Sequence, residues 1–327
     1  ATFRSGDDEA NEGNLVTDQS GKILRDNIWG TLEQDTFRRD FTINALYYCP
    51  TSGKIEDHNS GIAHIKNKKI VSIGDPMKRF SEDPVRSLRA IRFSNKLSFK
   101  IDRDVKSAIY KKGYLLDNIS NARMFDEFCK IFLSGIAEKN FNKLVSFNLN
   151  KYLILTSPSN SHFSQNLIKE ALKNTDKRVK NDQSVTPGFL IAAMLWPELL
   201  KKSRGDKEIN LRKFFRSMDQ ILRNQQKITA IPRKFHSYIK DIWVLQLKLH
   251  SRIGKQPYKT FKHPRFRAAY DFLLIRERAS NCQSNLGDWW TKFQKNNSAS
   301  QKQQILDLNE VSEENSFKKF GFQEELI

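Results

Sequence analysis

The sequence predicts an α+β chain that is predominantly helical, with its few strands confined to the first third. Three observations carry this. Tyr47–Cys49 and Lys54–Asp57 flank the turn Pro50–Gly53 (PTSG), with Pro and Gly where a turn wants them, which predicts a hairpin pairing 47–49 with 54–57. Beyond Gly74, apolar residues recur at helical spacing almost to the end. Val185–Leu200 (VTPGFLIAAMLWPELL) is apolar on nearly every side and predicts a buried helix at the centre of a helical core.

At 327 residues the chain is too long for one compact core and long enough for two or three domains. Hydrophobic residues make up 38% and include 23 Phe, enough for burial and too many for a disordered chain. No apolar run approaches the length of a helical membrane span, and the opening ATFRSGDDEA lacks the pattern of a signal peptide. Cys49, Cys129 and Cys282 are far apart without metal-ligand spacing, so a reduced, cytoplasmic setting is expected. Net charge is +19, which implies a polyanionic partner. Its distribution says more: Lys201–Arg278 holds 21 Lys and Arg against 6 Asp and Glu, whereas residues 1–37 hold 3 against 8. A solvated helical surface is the other reading of that excess.

Residues 1–30 are polar and acidic without a sustained period, and read as a strand end followed by a long surface loop. The opening TFR reads as the exit of a strand, so upstream sequence is expected. Thr31 is placed to N-cap a short helix, with Gln34 completing a capping box. Arg38–Ala45 is predicted helical, turning Arg39, Asp40 and Asn44 toward one cleft. Lys69–Ile73 (KIVSI) predicts a short strand. Pro76–Arg79 and Ser81–Leu97 predict a second helical block, with Ser81 as cap, Glu82 and Asp83 in the first turn, and Pro84 tolerated there. Arg86, Arg89 and Arg92 recur at every third residue along one side of it. Three such groups repel unless an anion or carboxylates such as Glu82 and Asp126 lie against them. A ligand is expected at Arg86 and an ion pair at Arg92.

Ile119–Leu133, Phe141–Leu155 and Ser164–Thr175 follow as helices, the first capped by Ser120 or Asn121. Leu211–Phe215, Ile221–Ile231, Phe235–Leu249 and His263–Arg278 predict four more with Lys and Arg outside. The loop Arg252–Arg267 (RIGKQPYKTFKHPRFR) alternates basic and aromatic residues. Lys255, Lys259, Lys262, Arg265 and Arg267 are therefore candidate RNA contacts, with the aromatics either stacking on bases or packed inward. Gln301–Ile327 is polar and expected to fray. No GxGxxG loop, phosphate-loop signature, zinc spacing or nucleophile context occurs.

The stretches TLEQDTFRRDFTINALYYCP and GDPMKRFSEDPVRSLRAIRF set carboxylates and close-spaced arginines among apolar residues. Such charges are costly to bury unless they meet each other or a ligand. A nucleoside triphosphate, with its anionic oxygens and ribose hydroxyl, would satisfy them, so they mark a candidate nucleotide site. RRDFTINALYY followed by GDPMKRFSEDPVRSLRAIRF resembles the class II nucleotidyltransferase family, which holds bacterial poly(A) polymerases and CCA-adding enzymes. LRDNIWGTLEQD, LKNTDKRVKND, TPGFLIAAMLW, IPRKFHSYIKDIWVLQLKL and HPRFRAAYDFLLIR look closer to the polymerase branch, and the likeness runs to about Gln294.

The resemblance implies the remnant of a small mixed-sheet nucleotidyltransferase head followed by all-α neck, body and tail. The divisions fall at 1–60 for the head, 61–150 for the neck, 151–250 for the body and 251–327 for a basic RNA-binding tail. It implies that Arg38, Arg39 and Asn44 hold the incoming nucleotide and that Asp40 serves the catalytic centre. Asp83 and Arg86 would read the base edge, with Arg89 supporting Asp83 or the phosphates. The implied reaction transfers AMP from ATP to RNA 3′ ends, with Mg2+ held mainly by acids upstream of this chain. The family places a Gly-rich loop and paired metal-binding aspartates before TFR, and Asp7, Asp8 and Glu9 lack that strand context. No metal ligand is assigned, and the chain as written is expected to bind RNA and catalyse little. Ser60-Gly61 and His64-Ile65 stand where the family usually has two glycines and an acidic-leucine pair at the head-to-neck hinge. Two other readings stay open: a CCA-adding tRNA nucleotidyltransferase, and a non-catalytic RNA-binding remnant.

Overall fold

Among the described residues of the computed structural model, strand pairing amounts to three short two-stranded pairs and two isolated bridges, and the regular structure is otherwise helical. It describes residues 16–17, 23–25, 30–155, 161–205, 209–280 and 285–311; the opening TFR, Asp7, Asp8, Glu9 and Cys282 lie outside these. Two compact units result, Ala1–Ile119 and Ser120–Ile327, so their boundary falls inside the span read from sequence as the neck. No described helix is long and apolar enough to cross a membrane.

In the first unit, β1 (Val16–Thr17) pairs antiparallel with β2 (Ile23–Arg25). Helix α1 (Leu32–Arg38) opens on the predicted capping box: Gln34 N donates to Thr31 Oγ1 at 3.2 Å and Thr31 N to Gln34 Oε1 at 2.8 Å. The predicted helix over 38–45 does not form. Arg39 and Phe41 are extended, and Thr42–Asn44 is a single 3-10 turn. The cause is tertiary: Phe41 is fully buried edge-on to Phe93, and the extended backbone lets Thr42 N bond Val71 O and Ile73 N bond Asp40 O. These contacts outweigh a local helical preference that is weak to begin with. The hairpin forms as predicted, β3 (Leu46–Tyr48) against β4 (Ile55–Asp57), with Gly53 at φ +66° in the turn. Helix α2 (Gly61–Lys66) then leads to β5 (Lys69–Ile70), which pairs parallel with β6 (Lys100–Ile101), a strand not predicted.

The second block is two helices, α3 (Pro76–Glu82) and α4 (Val85–Leu97). Asp75 caps α3, accepting from Met77 N and Lys78 N; Ser81, expected to cap the helix over 81–97, lies inside α3 and its hydroxyl donates to Met77 O. Pro84 forces the break: the residue before a proline is pushed out of the helical region, and Asp83 sits at φ −138°. Helix α5 (Arg103–Lys112) completes the regular elements.

The second unit is all helical: α6 (Asn121–Phe132), α7 (Ala137–Ser146), α8 (His162–Lys180), α9 (Pro187–Ser203), α10 (Leu211–Gln226), α11 (Arg233–Leu249), α12 (Gln256–Phe261), α13 (Phe266–Ser280), α14 (Leu286–Lys295) and α15 (Ser298–Val311). Helix α9 is buried all round from Leu190 to Trp196, as its sequence predicts. Trp243 of α11 ties to it, donating from Nε1 to Ala192 O at 2.9 Å. Three expectations need correction. The helix expected over Phe141–Leu155 stops at Ser146, with only a 3-10 turn at Asn150–Tyr152 beyond it. Residues 211–226 form one continuous helix, because Phe214, Met218, Ile221 and Leu222 share a buried face across the expected gap. Gln301 and Ile305 are buried on α15, so the chain is held through a region expected to fray.

Candidate functional site

The last carbonyls of a helix have no partner within it and must find one elsewhere. Those of α1 are met by arginines from the second block. Arg79 Nη2 donates to Phe37 O (3.3 Å), Arg38 O (2.8 Å) and Arg39 O (3.0 Å), and Arg86 Nη2 reaches Arg38 O at 3.5 Å. Glu82 holds both guanidinium groups, at 3.0 Å from Arg79 Nη1 and 3.4 Å from Arg86 Nη1. The expected site residues of the two motifs therefore come together, and Arg79, which the sequence reading passed over, is the fastener. Its place seven residues before Arg86, in the same charged block, was the available signal.

Asp40 is buried at 5% exposure. Its Oδ1 accepts from Phe41 N (2.9 Å) and Asn44 Nδ2 (3.0 Å), and Oδ2 lies 2.7 Å from Arg89 Nε as an ion contact rather than an aligned hydrogen bond. Asn44 thus meets Asp40 as the spacing suggested, through a 3-10 turn instead of an α-helix. Oδ1 is thus taken by two donors of this chain, while Oδ2 faces the Arg89 guanidinium. Among the described residues no cluster of three or more His, Cys, Asp or Glu is arranged to hold a metal ion.

Asp83 Oδ1 accepts from Val85 N at 3.2 Å, which fixes the carboxylate at the start of α4. Burial, and next the neighbouring Arg79 charge, hold the Arg86 guanidinium below its ordinary value. That crowding is what an anion would relieve. Arg92 lies over the Phe93 ring, 4.5 Å from its centre. Arg39 stays half in solvent, bonding Asp35 Oδ2 (2.9 Å) and the Tyr47 hydroxyl (2.9 Å), while that hydroxyl donates to Asp35. Asp35 and Tyr47 are further members of the cluster that sequence reasoning missed. Gly61, at the expected hinge, packs against the site: a Cβ there would lie 2.4 Å from Thr42 O, so the glycine serves close approach.

In the second unit Lys255, Lys259, Lys262, Arg265 and Arg267 are all exposed. The segment that carries them is not the loop expected, since it contains α12. Its aromatics turn inward: Tyr258 and Phe261 pack on Phe293, and Phe266 on Trp290. Arg265 stacks on Tyr238 at 4.9 Å, and Arg267 Nε pairs with Asp271 Oδ1 at 3.1 Å.

Family models match three parts of the chain. The poly A polymerase head domain matches residues 1–71, the probable RNA and SrmB-binding site of polymerase A matches 98–158, and the polymerase A arginine-rich C-terminus matches 207–320. Poly(A) polymerase I of Escherichia coli O157:H7 is 38% identical over an alignment covering 95% of this chain and 70% of that protein. The chain belongs to the poly(A) polymerase family. The Haemophilus influenzae poly(A) polymerase I is 37% identical over 94% of this chain and 70% of its own length. A CCA-adding enzyme of Lactococcus lactis reaches 33% over 78% of this chain and 58% of its own. Among solved structures, a tRNA-processing enzyme in its apo form I superposes with a TM-score of 0.59 at 18% identity, covering 86% of this chain and 74% of that one. The Bacillus stearothermophilus CCA-adding enzyme in complex with CTP gives 0.53 at 22%, covering 94% and 63%. These two share the fold. The poly(A) polymerase family, with its mostly helical chain and small head, is a family of nucleotidyltransferases.

Proposed function

We propose that the chain belongs to an enzyme that adds AMP from ATP to RNA 3′ ends without a template. The observation that supports this most is the fastening of the two motif blocks. Arg79 and Arg86 clamp the end of α1, 41 and 48 residues away in sequence, which ties the block that carries Arg38, Arg39 and Asn44 to the block that carries Asp83 and Arg86. In this reading Arg38 and Arg39 bind the triphosphate and Asn44 the ribose. Asp83 accepts from the exocyclic amine of adenine while Arg86 donates to a ring nitrogen. Asp40 acts as a positioning residue, orienting Asn44 and Arg89 from its buried place. The exposed Lys255, Lys259, Lys262, Arg265 and Arg267 hold RNA phosphates. Mg2+ would stabilise the charge moving between phosphates. The family's setting among RNA-processing enzymes fits a cytoplasmic protein.

Extension of labelled oligo(A), and of a tRNA lacking its 3′ end, with each nucleoside triphosphate in turn tests the reading. AMP addition to both RNAs, with no CMP incorporation, is the expected outcome; CMP addition confined to the tRNA would replace it with CCA addition. If RNA is retained but no nucleotide is added, this chain carries binding without the complete catalytic centre. In an active enzyme containing this chain, Asp83→Ala should lower the preference for ATP over the other nucleotides by about tenfold or more. An unchanged preference would remove Asp83 from base reading.

A further inference from the structure

A cleft of about 300 Å3 in the second unit is walled by α8, the start of α9, α11 and α13. We propose that it takes one unpaired RNA nucleotide, the base against Tyr238 and Phe189 and the phosphate among Arg178, Arg265 and Arg267. This rests on RNA being the partner of the second unit, and it adds Arg178, Tyr238 and Phe189 to the surface.

The lining contains three arginines and one carboxylate, Asp271, with no lysine. Arg267 pairs with Asp271 at 3.1 Å while its side chain stays 72% exposed, and Arg178 Nη1 stands 3.7 Å from the same carboxylate. Each guanidinium has five N–H donors in a planar fork, so one shared carboxylate leaves most of them directed at solvent or a ligand. Asp271 holds two forks in place without neutralising three charges. Arg178 is braced further by its Nε donating to Ser184 O at 3.1 Å.

The apolar part suits a base. Arg265 already lies over Tyr238, its guanidinium carbon 4.9 Å from the ring centre, and a cation beside an aromatic ring favours a further planar group. The Tyr238 ring is fixed because Thr186 Oγ1 donates to its hydroxyl at 3.4 Å, and Thr186 in turn caps α9. Phe189 sits one turn into α9, edge-on to Phe272. A duplex would present no free base face here, so the chemistry selects single strands.

The test uses the intact chain and a short oligo(A) carrying one 4-thiouridine. Irradiation followed by peptide mapping should place the crosslink on Tyr238, Phe189 or their immediate neighbours. By fluorescence anisotropy, Arg178→Gln with Arg265→Gln should weaken binding about tenfold or more, and Tyr238→Leu about fivefold or more. A duplex of the same length should fail to displace the oligonucleotide. Crosslinks only elsewhere would overturn the cleft assignment, whether or not any variant folds. So would near-normal affinity of folded cleft variants while Lys255→Ala with Lys259→Ala binds weakly; that pattern leaves the RNA reading intact. Failure of the wild-type chain to bind the oligonucleotide would remove the RNA reading and the cleft with it.

Discussion

Two pairs of arginines, one in each unit of this chain, meet opposite fates. In the first, Arg79 and Arg86 are turned inward, their side chains 16% and 13% exposed, and they donate to carbonyls at the end of α1 and to Glu82, Arg86 reaching Arg79 O as well. In the second, Arg267 and Arg265 lie outward, one leaning on Asp271 and the other on Tyr238. The difference teaches that a run of positive charge has two uses. Where backbone carbonyls and carboxylates surround it, arginine is structural mortar that also shapes a ligand site. Where helices offer only a solvated face, it stays available to a polyanion.

The sharpest way to press that comparison is to ask what buried charge costs in the outward-facing unit. There Arg276 is buried, donating to Gln246 Oε1 at 2.8 Å and lying 4.9 Å from the centre of Trp196. His250 nearby is pushed down to about 3, by burial first and then by the charges of Arg276 and Arg252. Because the unfolded chain takes up that proton near pH 6.5 and the folded chain does not, stability falls as pH drops from about 6.5 toward 3. The loss is up to about 1.4 kcal/mol per pH unit. Urea unfolding at pH 7 and pH 4 should differ by a few kcal/mol in the wild type and by clearly less in His250→Leu. An equal slope in both would assign the acid sensitivity elsewhere.

Arg79→Ala should come next. It strips three carbonyl partners and one carboxylate partner, and a loss of about 2–4 kcal/mol is expected from hydrogen bonds to a charged group. Nucleotide binding should fall with it, whereas Arg79→Lys, a point charge without the fork, should recover only part. Thermal melting read together with ATP binding checks this; a stable Arg79→Ala chain would mean the two blocks hold without their fastener.

Lys255→Ala with Lys259→Ala marks the other extreme. Both side chains are exposed, so stability should move by less than about 0.5 kcal/mol. RNA affinity should fall severalfold, and its dependence on salt should flatten by roughly two charges. Unchanged affinity with an unchanged salt slope would leave those lysines as a solvated face.

How far the sequence carried the site depends on the residue. Thr31 and Gln34 declared the start of α1, because a capping box is a contact among residues three apart. The hairpin over 46–57 was equally legible, its turn chemistry being local to Pro50–Gly53. Asp40 and Asn44 were rightly placed together although the helix expected to join them is absent. The 3-10 turn over 42–44 folds the chain back so that the Asn44 amide reaches Asp40. Nothing local announced that Arg79 would reach three carbonyls some forty residues away, or that Tyr47 would join Asp35 and Arg39.

What the sequence determined by itself is the class of the chain, its helical second unit, and the two motif blocks that belong to the poly(A) polymerase family. Composition, period and short-range capping act within a few residues, so they survive without knowledge of the fold. Tertiary structure alone decided where α1 stops and that the carboxylate of Asp40 turns to Asn44 and Arg89. It also decided which aromatics of residues 252–267 turn inward, and that Arg178 and Tyr238 share a cleft with Arg265. Those outcomes depend on competition for buried partners. Such competition is settled only when distant segments meet, because an unmet carbonyl or a buried charge costs more than any local preference can offset.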